Sequence, residues 1–150
     1  MNPKKYNLTV FKYTNCSVDN MKLEISFLKA DNTKHPFEAT LDEAIELIQT
    51  FPWEDQLKEA NELEKCSPSV SVKHASEHRI IEASYIGDDK GTDFLLFYIR
   101  NEKVMKGFFK KKEVDKEVMT DTNGLSLDDV IQAFRDFYKS DFEAIAEKTK

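Results

Sequence analysis

Strand-like segments are grouped together in the second half of the chain, and this grouping limits the possible folds more than any other feature. "SVSV" (69–72) alternates apolar and polar residues, and "RIIEASYI" (79–86) places Ile81, Ala83 and Tyr85 on one side. "FLLFYI" (94–99) is apolar on both faces, which is typical of a strand covered above and below. Strands that follow strands predict an α+β fold with a largely antiparallel sheet, not a βαβ nucleotide-binding fold.

Polar segments between these runs predict where the strands end. "GDDKGT" and "RNEK" are expected to be hairpin turns, which makes "FLLFYI" and "KVMKGFF" separate strands. "KEVM" continues the meander and "TNG" is expected to break it. This interpretation gives a run of about five strands in this region.

The first half of the chain predicts a hairpin followed by two helices. "YNLTVFKY" (6–13) and "MKLEISFL" (21–28) both alternate and are expected to pair as an antiparallel hairpin. Thr40 and Glu43 form a capping box at the start of a helix. Pro52 cannot continue that helix comfortably, so we expect it to end near Thr50 and a second helix to begin around Trp53.

The end of the chain carries the strongest periodic pattern. Ser126 with Asp129 predicts a helix start, and the apolar residues that follow recur at helical spacing. Ser140 with Glu143 is expected to cap a short final helix. The predicted order is ββααβββββα, with the sheet packed against helices in one domain that spans residues 1–150.

Composition excludes several classes of protein. Hydrophobic residues make up 40% and charged residues 33%, which fits a soluble globular domain rather than a disordered chain. No apolar run approaches the roughly 20 residues of a membrane span, and no signal peptide is evident, so we expect a cytoplasmic protein. Cys16 and Cys66 are expected to be free thiols, although a disulfide stays possible. No motif indicates a cofactor.

The charge balance favours a basic protein partner. The net charge is −6, and such a surface repels phosphate backbones. The basic residues are nearly all lysines, with only three arginines, and arginine is the side chain that best reads guanine and phosphate. We therefore expect no nucleic-acid partner, and the lack of a membrane-spanning run predicts no membrane partner.

One stretch matches a metallopeptidase motif. "HASEH" (74–78) has the H-x-x-E-H spacing of the inverzincin zinc site, which needs a helix to bring both imidazoles to one face. Its flanks are strand-like, so Ala75, Ser76 and Glu77 are expected to form a hairpin tip between His74 and His78. Those two histidines are the only metal-ligand candidates, and we favour a turn over a catalytic centre.

A second stretch mixes aromatic and basic residues. "GFFKKKEVDKE" (107–117) resembles the composition of single-strand nucleic-acid binders, but acids follow the lysines at once. We expect Phe108 and Phe109 to pack within a strand and the lysines to protect a strand end from unwanted pairing.

An acidic segment around the only tryptophan fits recognition better than catalysis. "FPWEDQLKEANELE" (51–64) surrounds Trp53 with carboxylates that could steer a basic partner, and "GDDKGTD" (87–93) offers a second acidic tip. The alternative is that Trp53 packs into the core at the helix junction while the acids face water. The predicted partner-binding residues are Trp53, Glu54, Asp55, Glu59, Glu62, Asp88 and Asp89.

The segments "SPSVSV", "FLLFYI" and "LDDVIQAFRDFYKSDFEAI" together resemble small bacterial immunity proteins of polymorphic toxin systems. The resemblance lies in the layout and covers about half the chain, from Cys66 to Ile145. It implies an acidic α+β inhibitor that occludes the active site or substrate groove of a cognate toxin, with basic nuclease toxins as suitable targets. It supplies no binding residues to transfer.

Three functions follow as hypotheses. The first is a protein-binding module of the immunity type, which is not an enzyme. The second is an acidic secretion chaperone that binds an extended effector segment. The third is a small metal-dependent hydrolase that uses His74, Glu77 and His78.

Overall fold

The computed structural model describes residues 20–88 and 90–150, with Ala75 described for its backbone only. Within this part of the chain six strands and four α-helices form one α+β unit. The strands are β1 (Leu23–Leu28), β2 (Phe37–Ala39), β3 (Ser69–His74), β4 (Arg79–Asp88), β5 (Gly91–Lys106) and β6 (Lys112–Leu125). The helices are α1 (Leu41–Thr50), α2 (Trp53–Glu62), α3 (Leu127–Tyr138) and α4 (Phe142–Lys148).

The six strands form one antiparallel sheet in the order β2-β1-β3-β4-β5-β6. Its register aligns the apolar positions of neighbouring strands, for example Ile25 with Val72 and Ile81 with Tyr98. Since alternate residues of a strand point to opposite faces, this register gathers the buried apolar side chains on one face. The helices cover that face, and helix and sheet residues form a single core.

Helices α1 and α3 begin where their capping boxes predict. The Glu43 carboxylate accepts from the Thr40 backbone N–H at 2.8 Å, and the Thr40 hydroxyl accepts from the Glu43 N–H at 3.3 Å. The same reciprocal pair joins Ser126 and Asp129 at the start of α3. These bonds satisfy backbone donors that a helix start leaves unpaired, so both boundaries are fixed locally.

Helix α3 supplies the centre of the core. Its buried residues include Val130, Phe134 and Phe137, and none of these three side chains reaches solvent. The Tyr138 hydroxyl is also buried and donates to the backbone carbonyl of Ala39 at 2.9 Å, which ties the helix end to β2. Burial raises the pKa of this phenol well above its ordinary value, so the hydroxyl keeps its proton.

The capping box of α3 predicts a pH-dependent contribution to stability. The backbone N–H of Ser126 holds the pKa of Asp129 below its ordinary value of 3.8. A carboxyl group whose pKa is lower in the folded than in the unfolded state stabilises the fold at pH values above its unfolded-state pKa. This contribution is lost as the pH falls through the folded-state pKa. We expect Asp129→Asn to lower the free energy of unfolding at neutral pH and the deficit to shrink below about pH 4. Urea titrations across that range measure it, and a deficit that does not vary with pH would contradict the mechanism.

The β5–β6 hairpin differs from the prediction. "RNEK" was predicted to be a turn and "TNG" a break, but Arg100–Lys103 continue β5 and Thr122–Gly124 continue β6. Residues 94–106 therefore form part of one long strand, and four strands, not about five, follow Pro68. The reason is pairing: Arg100 to Lys106 pair with Lys112 to Val118, which satisfies the backbone of these polar segments.

Other differences are small. The loop predicted before α1 contains the short strand β2, and Asp141 rather than Ser140 caps α4. The run "MKLEISFL" forms β1 as predicted, whereas its predicted partner "YNLTVFKY" lies outside the described residues. The outer face of β5 is also less covered than predicted, because Leu95, Phe97 and Ile99 are only half-buried.

Two of the three arginines hold α4 against the sheet. The Arg79 guanidinium lies 4.1 Å from the centre of the Phe142 ring and donates to the Tyr98 hydroxyl. Arg100 donates to Thr120, whose hydroxyl is 2.8 Å from that of Thr149 at the end of α4. These two guanidinium groups therefore serve contacts within the fold.

Candidate functional site

An open cleft of about 800 Å³ lies between α2 and the end of the sheet where β4 turns into β5. Helix α2 forms one wall and the end of the β4–β5 hairpin forms the other. The cleft is lined by Glu54, Asp55, Leu57, Lys58, Asn61, Glu62, Gly87, Asp88 and Thr92. It joins two acidic segments that are separate in the sequence.

Trp53 fixes the start of the helical wall. Its side chain is only 7% exposed and packs edge-on against Phe94 with ring centroids 5.2 Å apart. Its indole N–H donates to the backbone carbonyl of Ile48 at 2.8 Å, which joins the start of α2 to α1. Because Trp53 is anchored in this way, the next two residues, Glu54 and Asp55, are presented at the cleft.

One hydrogen bond, from Asn61 to Gly87, and one polar approach, of Tyr85 to Glu54, join the walls of the cleft. The Asn61 side-chain amide donates to the Gly87 carbonyl at 3.3 Å, which connects the end of α2 to β4. The Tyr85 hydroxyl donates to Thr92 Oγ1 at 2.7 Å and lies 3.4 Å from a Glu54 carboxylate oxygen. Gly87 itself has φ +139°, a backbone conformation that L side chains rarely adopt.

The structure brings most of the predicted partner-binding acids together. Glu54, Asp55, Glu62 and Asp88 all line the cleft. Glu59 is exposed on the same helix but does not line it, and Asp89 lies outside the described residues. Trp53 is buried at the helix junction, as the alternative interpretation of that residue has it.

The cleft is chemically suited to organic cations. Its four carboxylates accept hydrogen bonds and carry negative charge, and Lys58 is the single basic residue in its lining. Among residues 20–88 and 90–150, no group of three or more His, Cys, Asp or Glu side chains is close enough to hold a metal ion. Carboxylates spread in this way fit several amino or guanidinium groups along a surface better than one point charge.

Sequence reasoning missed the neutral residues of the cleft. Asn61 and Thr92 stand inside the two acidic segments but were not predicted to bind, and Tyr85 stands in a strand; only the fold places the three beside the acids. The acidic run in α2 and the acidic turn were both visible, but nothing in the sequence indicated that they face each other.

The "HASEH" segment forms a turn, as its flanks predict. Ala75–Glu77 make one turn of 3₁₀ helix between β3 and β4, and His78 has a left-handed backbone with φ 49°. His74 is paired with Arg79 rather than with His78. Its ring contacts Phe137 and Phe142 edge-on, and its Nδ1 lies 3.0 Å from the Ser76 hydroxyl. His74 therefore belongs to the packing of α3 and α4 on the sheet.

Cys66 is exposed in the loop before β3. Cys16 lies outside the described residues, so the prediction of two free thiols stays a prediction. No helix in the described part of the chain is both long and apolar enough to cross a membrane.

Comparison of the chain with protein-family models, with curated proteins and with solved structures gives no match. The resemblance to immunity proteins therefore stays a hypothesis, and the functional argument depends on the cleft.

Proposed function

We propose that this chain is a protein-binding module whose acidic cleft receives basic side chains of one partner protein. The observation that carries the proposal is the convergence of Glu54, Asp55, Glu62 and Asp88 from two separate elements on one open cleft. A concave surface with one sign of charge concentrates its field and speeds the encounter with an oppositely charged partner.

The finer proposal is an immunity-type inhibitor of a basic toxin. A cleft rim of carboxylates imitates the phosphate groups that a basic nuclease binds, so the same surface would compete for its substrate groove. The α+β layout and the net charge of −6 agree with the resemblance noted in the sequence. On this proposal the chain itself catalyses no reaction.

A pair of charge variants tests the proposal. The triple variant Glu54→Gln, Glu62→Gln and Asp88→Asn removes three cleft charges with little change in shape. The control variant Glu38→Gln, Glu117→Gln and Glu147→Gln removes three exposed charges elsewhere, so the two proteins have equal net charge. Each is purified with a tag from the source cells under native conditions, and bound proteins are identified by mass spectrometry. We expect one basic protein in stoichiometric amount with wild type and control.

The rate of association then separates the cleft from general charge. With the captured protein, we expect the cleft variant to associate on the order of tenfold more slowly than the control at low salt. Co-expression of the captured protein should arrest growth unless the wild-type chain is present, as an inhibitor requires. Equal association rates for the two variants would refute the cleft as the binding surface, and growth arrest that the chain does not relieve would refute inhibition.

A secretion chaperone is the second candidate, and the outer face of the sheet favours it. Ile80, Phe97 and Ile99 lie there half-exposed beside Met119, which is 60% exposed, and none of the four belongs to the core. Such a surface could hold an extended effector segment. Export of the captured protein that depends on this chain, in place of growth rescue, would favour the chaperone.

The small-hydrolase alternative has less support. It needs His74, Glu77 and His78 to act together, but these residues lie on a hairpin turn and His74 is packed against aromatic rings. The hydrolase hypothesis would gain support if the protein bound metal in stoichiometric amount and had a hydrolytic activity that His74→Ala abolishes. A partner complex unaffected by His74→Ala would count against it.

A further inference from the structure

The β5–β6 hairpin extends beyond the rest of the sheet as an arm. The last pair between β4 and β5 joins Ile80 and Ile99, whereas β5 and β6 continue to pair as far as Lys106 and Lys112. At about 3.4 Å per residue, this extension is roughly 20 Å long. The tip of the arm thus lies far from the core and far from the acidic cleft.

The tip presents two aromatic side chains to solvent. Phe108 is 93% exposed and Phe109 is 94% exposed, with their rings in edge contact at 5.2 Å. The sequence predicted that both would pack within a strand, and this prediction is wrong because the chain turns at residues 107–111. Gly107 has φ +125° and no room for a Cβ beside the Lys110 carbonyl, so the turn is tight.

Lysines surround this pair of rings. Lys106, Lys110, Lys111 and Lys112 are all exposed, and no acid lies between Met105 and Lys112. Lys106 and Lys112 face each other in the last pair of the hairpin, where like charges repel. An anionic surface over the tip would relieve this repulsion and bury both rings.

The local charge of the tip acts separately from the acidic body. The cleft is at the Gly91 end of β5 and the tip is beyond its Lys106 end, and 16 residues of strand span roughly 50 Å. The Debye length is about 8 Å at physiological ionic strength, so the net charge of −6 does not cancel the attraction at the tip. The molecule therefore has an acidic end and a basic aromatic end.

We propose that the tip of the β5–β6 hairpin binds the surface of an anionic phospholipid bilayer, with Phe108 and Phe109 inserted among the headgroups. Lysines near an anionic leaflet and aromatic rings at the interface are the two attractions that hold peripheral proteins on membranes. The expectation of no membrane partner came from the lack of a spanning segment, and a surface contact needs none. Two rings and four lysines give weak, reversible binding.

The experiment is flotation of the full chain with lipid vesicles. Vesicles of phosphatidylcholine alone are compared with vesicles that contain about 30% phosphatidylserine, a leaflet-like charge density. We expect binding to the anionic vesicles only, weakened by salt. Phe108→Ser with Phe109→Ser should reduce binding at least roughly tenfold, since both rings lose their burial. The control Met119→Ser removes an apolar side chain that is 60% exposed on the sheet, away from the tip, and should bind as wild type does.

A second pair of variants tests the lysines. Lys110→Gln, Lys111→Gln and Lys112→Gln should weaken binding to anionic vesicles by roughly tenfold or more. Lys34→Gln, Lys65→Gln and Lys139→Gln change the net charge equally, on exposed positions of the body, and should leave binding unchanged. In a Phe109→Trp variant, anionic vesicles should shift the tryptophan emission to the blue, while buried Trp53 contributes a constant background.

Three results would overturn the proposal. The first is no binding to anionic vesicles at low salt, and the second is equal binding by the double serine variant. The third is retention of single-stranded oligonucleotides through the same residues without vesicle binding, which would make nucleic acid the ligand. The cleft variant Glu54→Gln, Glu62→Gln and Asp88→Asn should bind vesicles as wild type does, so this site and the proposed function fail or succeed separately.

Discussion

Trp53→Ala is expected to lower the free energy of unfolding by about 3–5 kcal/mol, the usual cost of truncating a large buried aromatic side chain. The indole packs against Phe51 with ring centroids 4.4 Å apart and against Phe94 at 5.2 Å. Its N–H bond to the Ile48 carbonyl would also be lost, which leaves that carbonyl without its side-chain donor. The free energy of unfolding of a domain of this size is roughly 5–15 kcal/mol, so the variant should still fold but unfold at a lower temperature than wild type. Urea unfolding followed by circular dichroism measures the change.

Trp53→Phe separates the structural role of this residue from a role in binding. Phenylalanine keeps most of the ring packing and loses only the indole hydrogen bond, so we expect a smaller loss of stability than for alanine. Because Trp53 is buried, Trp53→Phe should bind the captured partner at the wild-type rate. Slower association in a variant that is fully folded would instead show that Trp53 contacts the partner.

The helices could be predicted from the sequence because their boundaries are set by local chemistry. Thr40 with Glu43 and Ser126 with Asp129 bond within four residues of chain, so the sequence alone contains the whole arrangement. Pro52 likewise separates α1 from α2 by its own geometry. The α+β class followed from the same grouping of local patterns.

The arm could not be predicted because its strands are exposed on both sides. "RNEK" has the polar composition that is typical of a turn. In the arm, however, polar residues occupy strand positions, because the arm extends beyond the core. Alternation of apolar and polar residues appears only where one face is buried. The position of the turn was therefore decided by the pairing of β5 with β6, which the sequence does not display.

The cleft depends on contacts between distant parts of the chain. The acids of α2 and Asp88 were each predicted as exposed, but their meeting requires α2 to lie across the end of the β4–β5 hairpin. That placement comes from the packing of Trp53 and from the Asn61 bond to Gly87, a contact across 26 residues. Neither of these contacts produces a pattern that can be recognised in a short stretch of sequence.

Gly87→Ala is expected to lower the free energy of unfolding by about 2–3 kcal/mol through backbone strain. A Cβ at this position would lie 2.2 Å from the Gly91 carbonyl oxygen and 2.7 Å from the Thr92 Cα, and both are backbone atoms that cannot rotate away. The φ of +139° is itself unfavourable for alanine. The end of the β4–β5 pair must open, and urea unfolding measures the cost.

Gly91→Ala is the matched control, because nothing lies within 4 Å of a Cβ at Gly91. Alanine there also restricts the unfolded chain, so we expect the free energy of unfolding to be unchanged or to rise by up to about 1 kcal/mol.

The two glycine variants are also expected to differ in partner binding. Movement of Gly87 pulls on the Asn61 bond that holds the two walls together, so Gly87→Ala should slow partner association while Gly91→Ala should not. A Gly87→Ala variant that is destabilised but binds at the wild-type rate would contradict this expectation. Binding would then not need the two walls of the cleft to be held together, and the binding surface would be α2 alone.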